Sequence, residues 1–371
     1  MRILYLAEQL WPYIGGVEIF STQLINALQK RGHEFFVITS RGSQNLPEQE
    51  IHNGMHMYRF LFEGALQRRN LGEIRTIQHR LARLKNDIQP DLVHLNGWAG
   101  SLYFYERTAS VAVAPVLFSI HSPFRFTSDK NTLLGRLLLS SDWVNAVSNA
   151  ILLDARSMVP EIASRSSVIY NSLELPNLEP SPLPTDKPKI LCLARLVPEK
   201  GADVAIEAFA LLVKRFPNAR LVIAGDGRER SALEQQAARL GLTESIDFLG
   251  WVKPECVPEL INSVSMLVVP SRYNEPFGLV ALQAAQMARP VVATRCGGLP
   301  EIVTDQQTGL LVEKDDVLAL ADAIVFLLEH PTTAIRFGNA ARQRVNEIFA
   351  WELFVDAYDG LYWKLGQKRN A

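Results

Sequence analysis

Two cations and one carboxylate stand at loop positions where an α/β chain can do chemistry. Arg195 and Lys200 lie in Leu193-Ala194-Arg195-Leu196-Val197-Pro198-Glu199-Lys200-Gly201, between an apolar strand and a helix. Arginine can hold two phosphate oxygens at once and lysine acts as a point charge, so the two beside a helix N-terminus could clamp a diphosphate. Taken alone, they are equally compatible with a pair of solvated loop cations. Glu275 opens the turn Glu275-Pro276-Phe277-Gly278-Leu279, after the apolar run Met266-Leu267-Val268-Val269-Pro270-Ser271 and before a helix leading to Pro290-Val291-Val292-Ala293-Thr294. A carboxylate there projects into the crevice outside the strand's carboxyl end, where open α/β sheets bind ligands. The competing reading is a glutamate that merely caps the helix.

The first half of the chain offers a glycine pair and a histidine. Gly15-Gly16 follows the first strand directly and permits close approach of a ligand to the backbone. His121 ends the strand 116–120 and precedes Ser122-Pro123, which puts it at the carboxyl edge of the first sheet, or else makes it an ordinary half-buried polar residue. Gly225-Asp226-Gly227 also follows a strand, but Arg230 stands where a dinucleotide fingerprint needs its third glycine. The chain has no Walker phosphate loop, no His-Glu-x-x-His helix, no Gly-x-Ser-x-Gly elbow and no Asp-x-Asp motif. No cofactor and no obligatory metal are therefore expected.

The elements that position these residues must come from a chain of 371 residues, long enough for two or three domains. Its 48% hydrophobic and 21% charged residues suit a folded protein, and a net charge of −1 offers no general attraction to nucleic acid. Cys192, Cys256 and Cys296 are widely spaced, which argues against a disulfide framework or zinc site and fits a reducing compartment. The opening Arg2-Ile3-Leu4-Tyr5-Leu6-Ala7 reads as a strand rather than a signal peptide, and no run approaches membrane-spanning length. A cytoplasmic protein is expected.

Short apolar runs recur at 3–7, 35–39, 92–95, 116–120, 144–147 and 168–170, with helical spacing between several of them. Continuous apolar strands alternating with helices predict a parallel sheet covered on both faces. A proline-rich stretch follows, and the pattern then restarts with strands near 189–193, 221–224, 246–249, 266–269 and 291–293 and helices over 202–216 and 230–240. The expected organisation is an N-terminal Rossmann-like domain over 1–178, an exposed linker over 179–188, a second such domain over 189–348 and a closing helix over 349–371. That helix carries Trp351, Phe354, Val355, Tyr358, Leu361, Tyr362 and Leu365 on one side and needs an apolar surface to cover. A basic amphipathic segment over 67–87 is compatible with an anionic membrane surface or with packing onto its own sheet.

Ser-x-x-x-Glu-x-Phe-Gly-Leu, Arg-Leu…Lys-Gly, Ile-Ala-Gly-Asp-Gly and the first-domain Gly-Gly together resemble the retaining family 4 glycosyltransferases, over essentially the whole chain. The resemblance implies the GT-B architecture: two Rossmann-like domains facing each other across a cleft, with the last helix crossing back to the first. It implies transfer of a sugar from a nucleotide-diphosphate sugar to a hydroxyl acceptor such as a glycan, glycolipid or small molecule. Glu275 would then grip sugar hydroxyls, and His121 would steady the reacting centre or a nearby hydroxyl. Gly16, Arg195, Lys200, Gly225, Val252, Phe277, Gly278, Leu279 and Gln283 would meet the donor, with Gly15 and Asn171 on the acceptor side. Ala194 and Ser172 replace family glycines. Gln283 replaces a glutamate that holds the ribose hydroxyls, which keeps one acceptor oxygen but loses the charge and leaves a deoxyribose donor open. A sugar-nucleotide epimerase, a phosphorylase or a non-catalytic sugar-binding homologue on the same scaffold are the alternatives.

Overall fold

The computed structural model describes all residues except 14, 43–45, 98–99, 124–128 and 368–371. It divides into two compact units, Met1–Asn171 together with the C-terminal helix Trp351–Gln367, and Ser172–Ala350. Positions 368–371 of the expected closing helix lie outside the described residues.

The first unit is built on strands β1 (Arg2–Ala7), β2 (Glu34–Ser40), β3 (Gln49–His52), β4 (Met55–Phe60), β5 (Leu92–Asn96), β6 (Val116–Ile120), β7 (Trp143–Ala146) and β8 (Ser166–Val168). Their order in the sheet is β3-β4-β2-β1-β5-β6-β7-β8, and all neighbours are parallel except β3 and β4. Five consecutive residues of β1 and all five of β5 and β6 are buried, as strands covered on both faces require.

The β3–β4 hairpin was not expected from the apolar pattern. Its Asn53-Gly54 turn has positive φ at both residues, the geometry that matches the twist of the strands it joins. The basic segment lies mainly on the helix Leu71–Ile88, which follows the short helix Phe62–Gln67. Arg69 takes a positive φ, and the Asn70 side chain caps the second helix by accepting from the N–H groups of Gly72 and Glu73. Ile77, Leu81 and Ile88 are buried, so the apolar face of that helix is covered within its own unit while Arg75, Arg80 and Arg83 stay exposed.

The C-terminal helix buries Phe354, Val355, Tyr358, Leu361, Tyr362 and Leu365. A closed polar network fastens it to the sheet. Ser119 Oγ donates to Asn145 Oδ1 at 2.6 Å, so His94 Nε2 donates to Ser119 Oγ at 2.6 Å and His94 Nδ1 accepts from the Tyr362 hydroxyl at 2.7 Å. Asn145 Nδ2 completes it by donating to the Tyr358 hydroxyl at 3.0 Å. Buried polar groups satisfied in this way specify one docking geometry, which a purely apolar face would not.

The second unit carries β9 (Lys189–Leu193), β10 (Arg220–Ala224), β11 (Ile246–Gly250), β12 (Met266–Val269), β13 (Val291–Thr294) and β14 (Gly309–Val312), all parallel, in the order β11-β10-β9-β12-β13-β14. Ile190, Leu221, Ile223, Met266, Val268 and Val292 form its core with Ile206, Phe209, Ile324 and Leu327 from the flanking helices. The helix expected over 202–216 ends at Leu212, and the strand expected over 168–170 lies two residues earlier. The proline-rich segment forms neither helix nor strand and belongs to this unit. Asn262 holds it, accepting from Ser181 N–H at 2.8 Å and donating to Glu179 O at 2.9 Å.

Candidate active site

In the second sheet the chain moves outward from β9 to β11, then returns to place β12 on the other side of β9. The connections leaving β9 and β12 therefore diverge at their carboxyl ends, and the crevice between them is the place where such sheets bind ligands. Arg195 and Lys200 are on the first connection and Glu275 on the second.

Glycines let these loops approach backbone to backbone. A Cβ on Gly225 would lie 1.8 Å from Ala194 O, and one on Gly297 would lie 2.1 Å from Glu275 O. Leu196 N–H donates to Asp226 O at 2.9 Å and Gly298 N–H to Glu275 O at 2.7 Å, so neighbouring loops stitch both cation and carboxylate turns in place. Ala194 takes no positive φ, which is why the loop tolerates it where a glycine is usual.

The structure brings Lys200 and Glu275 together across 75 residues of sequence. Lys200 Nζ donates to Glu275 Oε2 at 2.6 Å, and Ser271 Oγ donates to the same oxygen at 3.1 Å. Both members are largely withdrawn from solvent, with side chains 22% and 14% exposed. Arg195 is different: it is exposed and makes no side-chain hydrogen bond or ion pair among the described residues. One cation is thus already balanced and the other is uncommitted. Gly278 takes φ +111 ahead of the helix Leu279–Gln286, and Gln283 is half-buried on that helix. The Phe277 side chain is buried against Phe349 with ring centroids 5.9 Å apart, so only its backbone is available to a ligand. Val252 is half-buried just beyond Gly250, the residue whose carbonyl accepts from Gly225 N–H at 2.7 Å.

The first sheet has its own switch point, between β1 and β5. Gly15 precedes the helix Gly16–Lys30, and a Cβ on it would lie 2.3 Å from Glu18 Oε2, so the Glu18 carboxylate folds back over the helix start. Arg59, wholly buried on β4, donates to Trp11 O at 2.9 Å and to Glu50 Oε1 at 2.5 Å, which anchors the approach to the glycine pair. Glu8, not singled out by sequence pattern, accepts from Gly100 N–H at 2.8 Å, and burial raises its pKa. Asn171 is buried at the end of this unit with no partner for Oδ1 among the described residues.

His121 stands at the carboxyl end of β6. Asn96 Nδ2 donates to Ser21 Oγ at 3.2 Å, which leaves Asn96 Oδ1 to accept from His121 Nε2–H at 2.7 Å. Nδ1 is then the bare acceptor, buried and unpartnered among the described residues. Burial pushes the pKa down to about 3, so the imidazole is neutral. A neutral ring with a bare Nδ1 can accept a hydrogen bond from a nearby hydroxyl.

Burial also holds His94 well below the usual 6.5. Below pH 6.5 the unfolded chain takes up protons at both imidazoles while the native chain does not, so acid favours unfolding. This contribution is complete above pH 6.5 and is lost as pH falls from there toward about 3. Urea unfolding at pH 7.5 and pH 5 should therefore show stability falling by about 1.4 kcal/mol per pH unit for each histidine below 6.5. A midpoint that stays constant over that range would contradict neutral burial.

Comparisons with known proteins bear on the family and the fold. The family model "Glycosyltransferase Family 4" matches residues 14–175 and "Glycosyl transferases group 1" matches residues 176–344. A glycogen synthase of Mycobacterium tuberculosis is 28% identical over an alignment spanning 100% of this chain and 96% of that protein. A GDP-mannose-dependent phosphatidylinositol monomannoside mannosyltransferase of Mycolicibacterium smegmatis is 36% identical over 45% of each chain. Among solved structures, sucrose-phosphate synthase from Thermosynechococcus elongatus superposes with a TM-score of 0.85 at 24% identity, covering 98% of both chains. Anabaena HepE, solved with UDP and glucose, gives 0.76 at 20% identity over 97% of this chain and 98% of its own. The fold is that of the GT-B glycosyltransferases. The chain belongs to the family 4, group 1 glycosyltransferases.

Proposed function

We propose that this protein transfers a sugar, with retention at the anomeric carbon, from a nucleoside-diphosphate sugar to a hydroxyl acceptor. The observation that carries the proposal is the Lys200–Glu275 pair at the switch point of the second sheet, with the uncommitted Arg195 on the same connection. Arg195 and Lys200 meet the diphosphate and stabilise the charge that develops as it leaves, where fixed cations have most effect. Glu275 accepts hydrogen bonds from the donor sugar's hydroxyls, while the turn through Phe277, Gly278 and Leu279 offers backbone contacts. The leaving phosphate takes the acceptor's proton, so the reaction assigns no separate general base. Gly15, Asn171 and the Nδ1 acceptor of His121 serve the first unit's share of the substrates, and Gln283 and Val252 lie on the donor's nucleoside side.

The test is a panel of UDP-, GDP-, ADP- and TDP-sugars, with deoxyribose donors included because of Gln283. Thermal shift and release of nucleoside diphosphate are both read. The expected result is one preferred donor that stabilises the protein and is turned over, faster with a hydroxyl acceptor present. A donor converted into a different nucleotide sugar with no acceptor would indicate an epimerase instead. No stabilisation and no turnover across the panel would refute the proposal.

A further inference from the structure

We propose that Arg272 is a positioning residue for this reaction, holding the turn that carries Glu275 against the turn that carries Lys200. The inference rests on the glycosyl-transfer reading of the same site. Arg272 follows Ser271 at the carboxyl end of β12, three residues before Glu275. Its Nη1 and Nη2 donate to Asp203 Oδ1 and Oδ2, both at 2.7 Å, a two-pronged contact that fixes direction as well as distance. Nη1 also donates to Pro198 O at 3.2 Å, and Nε donates to the Asp315 carboxylate. The main chain adds to this, with Arg272 N–H at 2.9 Å and Tyr273 N–H at 3.3 Å from Glu199 O.

Pro198, Glu199 and Asp203 bracket Lys200, which closes the short turn Pro198–Lys200 ahead of the helix Ala202–Leu212. The two connections diverge from the sheet, yet this one side chain spans them immediately beside the reactive pair. Below it, a Cβ on Gly201 would lie 2.0 Å from Pro270 O, so the strand ends are already as close as backbone permits. Arg272 and Asp203 are about a third exposed, and an exposed ion pair adds little to stability. Its larger consequence is geometric, since a displacement of about 1 Å at a reacting group can cost about 100-fold in rate.

The experiment compares wild type, Arg272→Ala, Arg272→Lys, Lys200→Ala and Lys200→Ala/Arg272→Ala. Release of nucleoside diphosphate from UDP-glucose and GDP-mannose is followed, and the crystal structure of Arg272→Ala is determined. Arg272→Ala is expected to lower kcat about 100-fold while the donor KM changes less than about threefold. Arg272→Lys should melt like wild type without restoring kcat, because an ammonium cannot make the fork. In the Lys200→Ala background, Arg272→Ala should cost about tenfold or less rather than about 100-fold, since only the Glu275 side of the contact it sets remains to be misplaced. The crystal structure should show Lys200 Nζ and Glu275 Oε2 separated by more than about 3.5 Å.

If Arg272→Ala does not fold, Asp203→Asn removes the same fork from the other side and carries the same expectations. Near-normal kcat in the folded variant, full multiplication of losses in the double variant, or an unchanged Lys200–Glu275 contact would each overturn the inference. A wild-type protein that releases no nucleoside diphosphate from either donor counts against the transfer reading instead, and the crystallographic comparison then decides Arg272 alone.

Discussion

Lys200→Ala is expected to lower turnover of the preferred donor about 1,000-fold while the protein remains folded. The substitution removes a cation from the site where the leaving diphosphate gathers charge, and a 1,000-fold loss corresponds to about 4 kcal/mol of transition-state stabilisation. It also leaves the Glu275 carboxylate with Ser271 Oγ as its remaining donor in the contacts described above. That loss costs about 1–3 kcal/mol of stability, which lowers the melting temperature without unfolding the chain. Steady-state kinetics beside a thermal melt separate the two effects. Turnover within about tenfold of wild type in a folded variant would remove Lys200 from the chemistry.

Glu275→Gln should move two quantities in opposite directions. Glutamine keeps the shape and one acceptor oxygen but not the charge, so the donor sugar is held less firmly and kcat should fall about 100-fold. The same change releases Lys200 from the carboxylate 2.6 Å away, and a nucleoside diphosphate then meets an uncompensated cation. Affinity for UDP or GDP should rise several-fold, up to about tenfold, which is about 1.4 kcal/mol. A variant that loses turnover and diphosphate affinity together would show that Glu275 supports the anion site rather than competing for its lysine.

Much of this arrangement was legible in the sequence because it depends on local pattern. Ile3 to Ala7 is a continuous apolar run, and a strand buried on both faces writes itself that way. The motif ending in Glu275-Pro276-Phe277-Gly278 lies between strand and helix and so announces a turn at a sheet's carboxyl edge. The hairpin at Asn53-Gly54 carried a local signal that apolar runs do not report, since β4 contains His56 and Arg59. Arg59 is buried because Glu50 and main-chain carbonyls pair with it, and only the fold brings those groups together.

The same limit applies at the site. The sequence places Lys200 and Glu275 on turns, but their contact spans 75 residues and the Arg272–Asp203 fork spans 69. Such pairings follow from strand order, which local spacing does not contain. The neutral state of His121 is likewise a property of burial, and nothing in its neighbouring residues reports it.

The central claim is that the connections after β9 and β12 form the seat of a nucleoside diphosphate. Calorimetric titration of UDP and of GDP into wild type, Arg195→Ala, Lys200→Ala and Glu275→Gln tests it most directly. The account predicts binding by wild type to at least one of the two, weakening of about tenfold or more in each cation variant, and tightening in Glu275→Gln. Binding that is unchanged in both cation variants would contradict it.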